Sequence, residues 1–308
     1  MSLTRIGGTK MNWKDNLRYK YNTASILEKF IAINIVMFVL TFAFNTIGFL
    51  FGSSGNNFLI EWLVFPKDLS DLLFKPWSIL TYAFLHAGIF HILSNMIVLY
   101  FSGQIFLNFY SRKKFVNFYI LGAIFGALIF ALSYNLFPAF QGTGKSYLIG
   151  ASASVMAILV GIATKIPDFQ VRLMFLGNLK LWWIAAGLVA LDFIQIPFGN
   201  PGGHLAHLGG AAIGYLYTKQ LEKGNDIGSW IESTINVISD FSFSSKSNPK
   251  MKTVYKNKQK KTEKKKSNQK DKNNQEKIDK ILDKISSSGY GSLTKEEKDF
   301  LFRAGKDL

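Results

Sequence analysis

Ser152 stands in Gly150-Ala151-Ser152-Ala153-Ser154, inside an uncharged run from Ser146 to Thr164. Neighbours with almost no side chain let backbone and partner helices approach its hydroxyl. A serine hydroxyl is a poor nucleophile until a base takes its proton, and imidazole is the usual base at neutral pH. All four histidines fall in two clusters, His86 with His91 and His204 with His207. His91 and Asn95 are four apart, so on a helix they aim an imidazole and an amide at one point. His207, Gly210 and Gly214 share a helix face in the same way. The two glycines let that helix press against a neighbour, and Ala151, Ala153 and Ala157 mark the stretch after Gly150 as that neighbour. Ser152 and His207 would then meet. His91, Asn95 and a backbone N–H near Ser152 would supply donors for a tetrahedral oxyanion. Ser154, two residues on, points elsewhere and reads as packing.

The elements that must position these groups are membrane helices. The chain has 308 residues, 48% hydrophobic and 18% charged, yet a net charge of +16. The two traits live apart. Residues 30–221 are apolar, whereas residues 246–277 hold thirteen Lys against three acidic residues. About 20 apolar residues cross a bilayer core as a helix. On that rule we expect an all-α membrane protein with six transmembrane helices: Phe30–Phe51; one within Trp77–Gly103, carrying both His86 and His91; one within Phe115–Leu136, with Gly122 and Gly126 as a packing face; a short one from near Ala151 to Thr164; Leu181–Phe198, interrupted by Asp192; and His204–Tyr217 after a turn at Asn200-Pro201-Gly202-Gly203. Intramembrane polar groups are costly and point to function. Asp192 is expected to face a cavity or act in gating, with orientation of His207 as the lesser alternative, and His204 to sit at the outer turn, with tuning or proton relay as its alternative. Basic residues crowd the N-terminal arm, the 104–114 and 165–180 loops and the tail, so both termini are expected in the cytoplasm.

The expected domains are a cytoplasmic arm at 1–29, the six-helix unit at 30–221, an interfacial amphipathic helix at 222–245, a Lys-rich disordered linker at 246–275 and a helical hairpin at 276–308. The helix at 227–241 spaces Ile227, Trp230, Ile231, Ile235, Ile238 and Phe241 on one face. The Lys tract has almost no apolar content and favours anionic lipid by ~1 kcal/mol per nearby Lys; nothing in it reads bases, so nucleic acid is not an expected partner. In the hairpin, Ile278, Ile281, Leu282 and Ile285 make one stripe, Gly289-Tyr290-Gly291 breaks it, and Thr294 with Glu297 matches a capping box. Its surface could dock a protein partner. The chain has no cysteine, which excludes disulfides and thiolate chemistry. Neither a cofactor nor a metal is expected.

At these residues the chain resembles the rhomboid family of intramembrane serine proteases. The matching pieces are Trp77, His86-x-x-x-x-His91-x-x-x-Asn95, Gly150-x-Ser152 and Ala206-His207-x-x-Gly210-x-x-x-Gly214, over roughly residues 30–221. The resemblance implies Ser152 as nucleophile and His207 as base in a dyad without a third carboxylate. It implies His91 and Asn95 at the oxyanion, His86 as a polar support, and single-span membrane proteins as substrates that arrive laterally past span five. Three residues depart from the family pattern: Ser78 where Arg often follows the tryptophan, Ala153 where Gly follows the serine, and Met156 where an aromatic ring often packs on the histidine. Two other functions compete: a catalytically inactive relative that binds membrane helices, and a histidine-dependent metal transporter. The second lacks His-Glu-x-x-His and has one mid-span acid, a poor ligand set for a divalent ion. A multi-pass protein of a bacterial inner membrane is the expected setting.

Overall fold

A computed structural model describes residues 5–6, 9–10, 12–52, 58–173, 177–242 and 264–304. The chain divides into two compact units, Met1–Ser244 and Ser245–Leu308. The first opens with a small antiparallel pair, Arg5–Ile6 (β1) and Thr9–Lys10 (β2), followed by α1 (Trp13–Thr23). Helix α2 (Ile26–Leu50) starts at a capping box, in which the Ser25 side chain accepts from Glu28 N–H and the Glu28 carboxylate accepts from Ser25 N–H. Both orphan donors of the first turn are thereby satisfied before the chain enters its apolar run.

The described part of the segment between α2 and the next long helix is folded. It holds α3 (Phe58–Leu63), a strand at Phe65–Pro66 (β3), α4 (Leu69–Phe74) and α5 (Ser78–Thr81). The β3 strand pairs antiparallel with Tyr147–Leu148 (β4), immediately before Gly150. Trp77 Nε1 donates to Trp62 O at 2.9 Å, and Thr81 Oγ1 donates to Leu63 O at 2.7 Å. This packed outer segment is therefore anchored to the stretch that carries Ser152.

The long helices follow: α6 (Ile89–Phe109), α7 (Arg112–Leu136), α8 (Ser152–Lys165), α9 (Leu181–Gln195) and α10 (Pro201–Glu222). A hairpin of Gln170–Leu173 (β5) and Gly177–Lys180 (β6) joins α8 to α9. Among the described residues four helices are long and apolar enough to cross a membrane: α2, α6, α7 and Leu181–Phe198. Helices stand at all six expected places, and two of them, α8 and α10, fall outside this criterion. Helix α8 has 14 residues, or ~21 Å at 1.5 Å per residue, short of a ~30 Å core. Helix α10 is long enough, but its histidines, glycines and charged last turn make it too polar to qualify on composition. Both pack against other helices, α8 more fully than α10. Ten of the 14 residues of α8 are buried, which allows its irregular lead-in below the surface.

Small residues set the packing of α7, α8 and α10. A Cβ on Gly210 would collide with the Ala153 carbonyl, and one on Gly214 with the Ala157 backbone. On Gly122 it would come within 2.7 Å of Ala157 Cβ and Ser154 Cα. The expected approach of the sixth helix to the fourth, through Gly210 and Gly214, is the arrangement found. The methyl of Ala153 fits because Gly126 stands opposite it.

Helix α11 (Ser229–Ser242) lies close to the expected interfacial helix. Ile231 enters the core; Ile238 and Phe241 have side chains outside the described part. Glu232 binds Lys113 and Lys114 at the start of α7, and Asp226 binds Lys114 and accepts from Tyr217 Oη at 2.6 Å. Burial opposes ionisation of both acids, yet the lysine contacts prevail and hold each carboxyl below its ordinary range.

In the second unit, α12 (Lys264–Ser288) begins well inside the expected disordered linker, so residues 264–275 are helical. Residues 246–263 lie outside the described part. The chain breaks at Gly289, and α13 (Lys295–Ala304) follows. The Thr294–Glu297 capping box forms in both directions, and Lys284 bonds Glu297 at 2.9 Å. Ile281 and Leu293 form the small buried interior.

Candidate active site

Ser152 is the first residue of α8, and three features aim it. Gly150 N–H donates to Tyr82 O at 3.0 Å, which fixes the lead-in to the outer segment. Gly150 has φ +132°, a backbone state that L side chains rarely adopt. A Cβ there would stand 2.8 Å from His91 Cε1 and Nε2 and 3.5 Å from Ser152 Oγ. The His91 imidazole therefore lies directly against Gly150, close to the hydroxyl. First-turn N–H groups of a helix have no intrahelical partner, so α8 presents donors and its positive dipole end beside Ser152.

Ser152, His91, Asn95, Met156, Asp192 and His207 line one cavity of about 260 Å³. The residues expected at the site are thus brought together from α6, α8 and α10, except His86. His86 precedes α6 instead of riding on it, which corrects its expected place on the second span. Its buried ring packs edge-on to His91, with centroids 5.1 Å apart, and neither nitrogen is hydrogen-bonded. It lines a separate cavity of about 490 Å³ together with Asp71, Lys75 and Lys145. Asn95 Nδ2 donates to His91 O at 2.9 Å, one turn back. Ser154 points away from the cavity and donates to Tyr119 O at 2.7 Å. Trp77 stacks on Trp62, and the neighbouring Ser78 hydroxyl is buried without a partner.

Asp192 takes the less favoured of its expected places, beside His207. Asp192 Oδ1 lies 2.8 Å from His207 Nδ1 and 2.8 Å from His204 Nδ1. The expected dyad thus has a carboxylate behind its histidine, and Asp192 faces that histidine as well as the cavity. A signal for this exists in the sequence. Helices α9 and α10 are joined by a short turn, and residues at similar distances before and after such a turn face each other. Asp192 and His207 are 15 apart and straddle Asn200 almost evenly. Asn200 takes a left-handed conformation, φ 48°, and caps α10 by accepting from Gly203 N–H at 3.3 Å, with Pro201 at the first helical position.

Asp192, His204 and His207 also place three potential ligand atoms within 4.8 Å of one another. The two 2.8 Å separations from Asp192 are shorter than the ~3.3 Å edge of a tetrahedron with bonds of ~2.0–2.1 Å. They are the lengths of N–H···O hydrogen bonds.

With this arrangement in view, comparison with known proteins is decisive for the family. Residues 74–223 match the Rhomboid domain family. The chain carries a rhomboid domain. Residues 260–305, which include the hairpin, match a family of unknown function, DUF6576. Presenilin-associated rhomboid-like protein A, mitochondrial, of Danio rerio is 31% identical over 141 residues, 44% of this chain and 35% of that protein. RHOMBOID-like protein 12, mitochondrial, of Arabidopsis thaliana is 27% identical over 179 residues, 55% of this chain and 52% of that protein. Rhomboid-related protein 1 of Caenorhabditis elegans is 29% identical over 156 residues, 46% and 39% of the two chains. This rhomboid therefore spans between about a third and a half of the length of these relatives. It is a helical membrane protein whose matched region contains Ser152, His91, Asn95 and His207.

Proposed function

We propose that this rhomboid is an intramembrane serine endopeptidase that cuts membrane-spanning segments of other proteins. The observation that carries the reading is the shared cavity, where Ser152 at the tip of α8 and His207 on α10 meet His91. Ser152 Oγ attacks the scissile carbonyl carbon while His207 Nε2 takes the hydroxyl proton. The carbonyl oxygen becomes an oxyanion, held by His91, Asn95 and N–H groups of the first turn of α8. Collapse breaks the C–N bond, and the departing amine takes the proton from His207. Water then hydrolyses the acyl-serine with His207 again as base. Ser152 and His207 share no hydrogen bond in the resting structure; catalytic contacts of this kind commonly tighten only when substrate binds.

The competing functions fare less well. An inactive adaptor would be free to lose the serine or the histidine, and both are present. A metal carrier would need ligand spacing wider than the 2.8 Å contacts around Asp192. By the positive-inside rule both termini face the cytoplasm and Ser152 opens toward the outer side. The proposed setting is a bacterial inner membrane; two of the relatives carry "mitochondrial" in their names. The proposed partners are single-span substrates, anionic lipid at the Lys-rich tail, and a protein docked on the C-terminal hairpin.

The test is co-expression with tagged single-span membrane proteins, followed by sequencing of the cut ends. The reading predicts fragments that vanish in Ser152→Ala. Identical fragments from both forms would defeat it.

A further inference from the structure

We infer that Asp192 is a positioning residue for the base, fixing His207 with its proton on Nδ1 so that Nε2 is free to accept from Ser152. The inference rests on the serine-protease reading above and adds to it a third side chain, contributed by α9.

The geometry argues for it in three steps. First, His207 Nδ1 and Asp192 Oδ1 are 2.8 Å apart. A carboxylate can only accept, so the proton between them belongs to the ring nitrogen. A neutral imidazole carries one N–H, and its other nitrogen is then an acceptor. The tautomer that a general base needs is thereby set from behind. Second, His204 Nδ1 reaches the same oxygen at 2.8 Å. Two ring N–H groups converge on one carboxylate oxygen, which compensates its charge where water is scarce. His204 thus anchors Asp192, and Asp192 orients His207. Third, when His207 takes the serine proton it becomes a cation, and the carboxylate behind it stabilises that cation. The same logic recurs on unrelated folds, recognised by geometry and not by position in the chain. Here it is assembled across the α9–α10 turn. Asp192 belongs to a helix whose other residues are mostly turned to lipid, so the base is oriented only while α9 lies against α10.

The test pairs an activity measurement with a spectroscopic one on the full-length protein in detergent. Histidine-selective 15N NMR reads which ring nitrogen carries hydrogen. With four histidines in the chain, the His207 signals are identified by their loss in His207→Ala. We expect Nδ1–H with bare Nε2 in the wild type. In Asp192→Leu the Nε2–H form should grow, and kcat should fall about 100-fold or more with KM little changed, in line with the loss of a carboxylate from such an arrangement. In Asp192→Asn the amide NH2 can donate to Nδ1 and hold the ring as its Nε2–H tautomer, so kcat should fall at least as far, by up to ~10⁴-fold, with KM little changed. The expected order of kcat is Asp, then Leu, then Asn. Should Asp192→Leu fail to fold, the Asn variant decides by its lowered kcat and its Nε2–H tautomer at unchanged KM. A His207 that keeps its wild-type tautomer in Asp192→Leu, or a wild-type kcat in Asp192→Asn, would overturn the inference. Absence of any Ser152-dependent cleavage by the wild type would instead count against the protease reading, and the NMR arm would still decide what Asp192 does to His207.

Discussion

Helices α8 and α9 both border the candidate active site, yet they are held in place by different physics. Ten of the 14 residues of α8 are buried, against Leu181 and Ala185 alone among the 15 of α9. In a bilayer, lipid tails solvate an exposed leucine about as well as a neighbouring helix does, so close backbone approach and hydrogen bonds decide which helices stay together. Helix α8 has close approach, because Gly122, Gly126, Gly210 and Gly214 all face it. Helix α9 lacks that contact, and its polar side-chain tie to α10 is the pair of bonds from Asp192. The proposed nucleophile and base thus sit on a fixed pair of helices. The wall beside them has few buried residues, and its polar tie ends on the base itself.

The sharpest way to break this contrast is to make the same change on each side. Gly210→Leu forces a side chain into the Ala153 carbonyl, whereas a Cβ on Gly187 of α9 meets nothing within 4 Å. We expect Gly210→Leu to cost ~3 kcal/mol or more, in the range of severe overpacking, and Gly187→Leu to stay within ~0.5 kcal/mol. Thermal unfolding in detergent checks both; equal losses would erase the distinction. A smaller effect follows from Gly150→Ala. The added methyl strains a φ of +132° and meets the His91 ring. Activity should drop roughly 10- to 100-fold, the scale of a disturbed oxyanion donor, with little change in unfolding temperature. A wild-type rate would show that His91 need not stand where it does.

The smallest effect lies at the opposite end of the bundle. Asp226 and Glu232 titrate below their ordinary values of 3.8 and 4.5 because Lys113 and Lys114 outweigh the cost of burial. Carboxyls with lowered folded values add stability that is complete above the unfolded values and is lost as pH falls through the folded ones. Unfolding temperature should therefore be steady at neutral pH and decline below about pH 4. In Asp226→Asn it should start lower, reflecting a stability loss on the order of 1 kcal/mol, and decline less. An acid slope unchanged in that variant would remove this cluster from the account of how α11 is held.

Much of this site is legible in the sequence, because its parts follow helical spacing. Ser152 among small residues, His91 with Asn95, and His207 with Gly210 and Gly214 each declare one face of one helix. What escapes depends on chain geometry between elements. The facing of Asp192 toward His207, open from sequence only as the lesser alternative, depends on a turn closed by the left-handed Asn200. The pairing of Phe65–Pro66 with Tyr147–Leu148 joins two-residue strands, too short for any alternation to register. His86 leaves the helix that carries His91 because Gly88, not an earlier residue, serves as the N-cap of α6. The start of α12 inside the Lys tract has no apolar stripe to announce it.

The central claim is that the Ser152 hydroxyl is activated by His207. A fluorophosphonate probe that labels activated serines, with the adduct mapped by mass spectrometry, tests it directly. The account predicts one adduct, on Ser152, absent in Ser152→Ala and lost or strongly reduced in His207→Ala. Undiminished labelling of the protein in Ser152→Ala would contradict it.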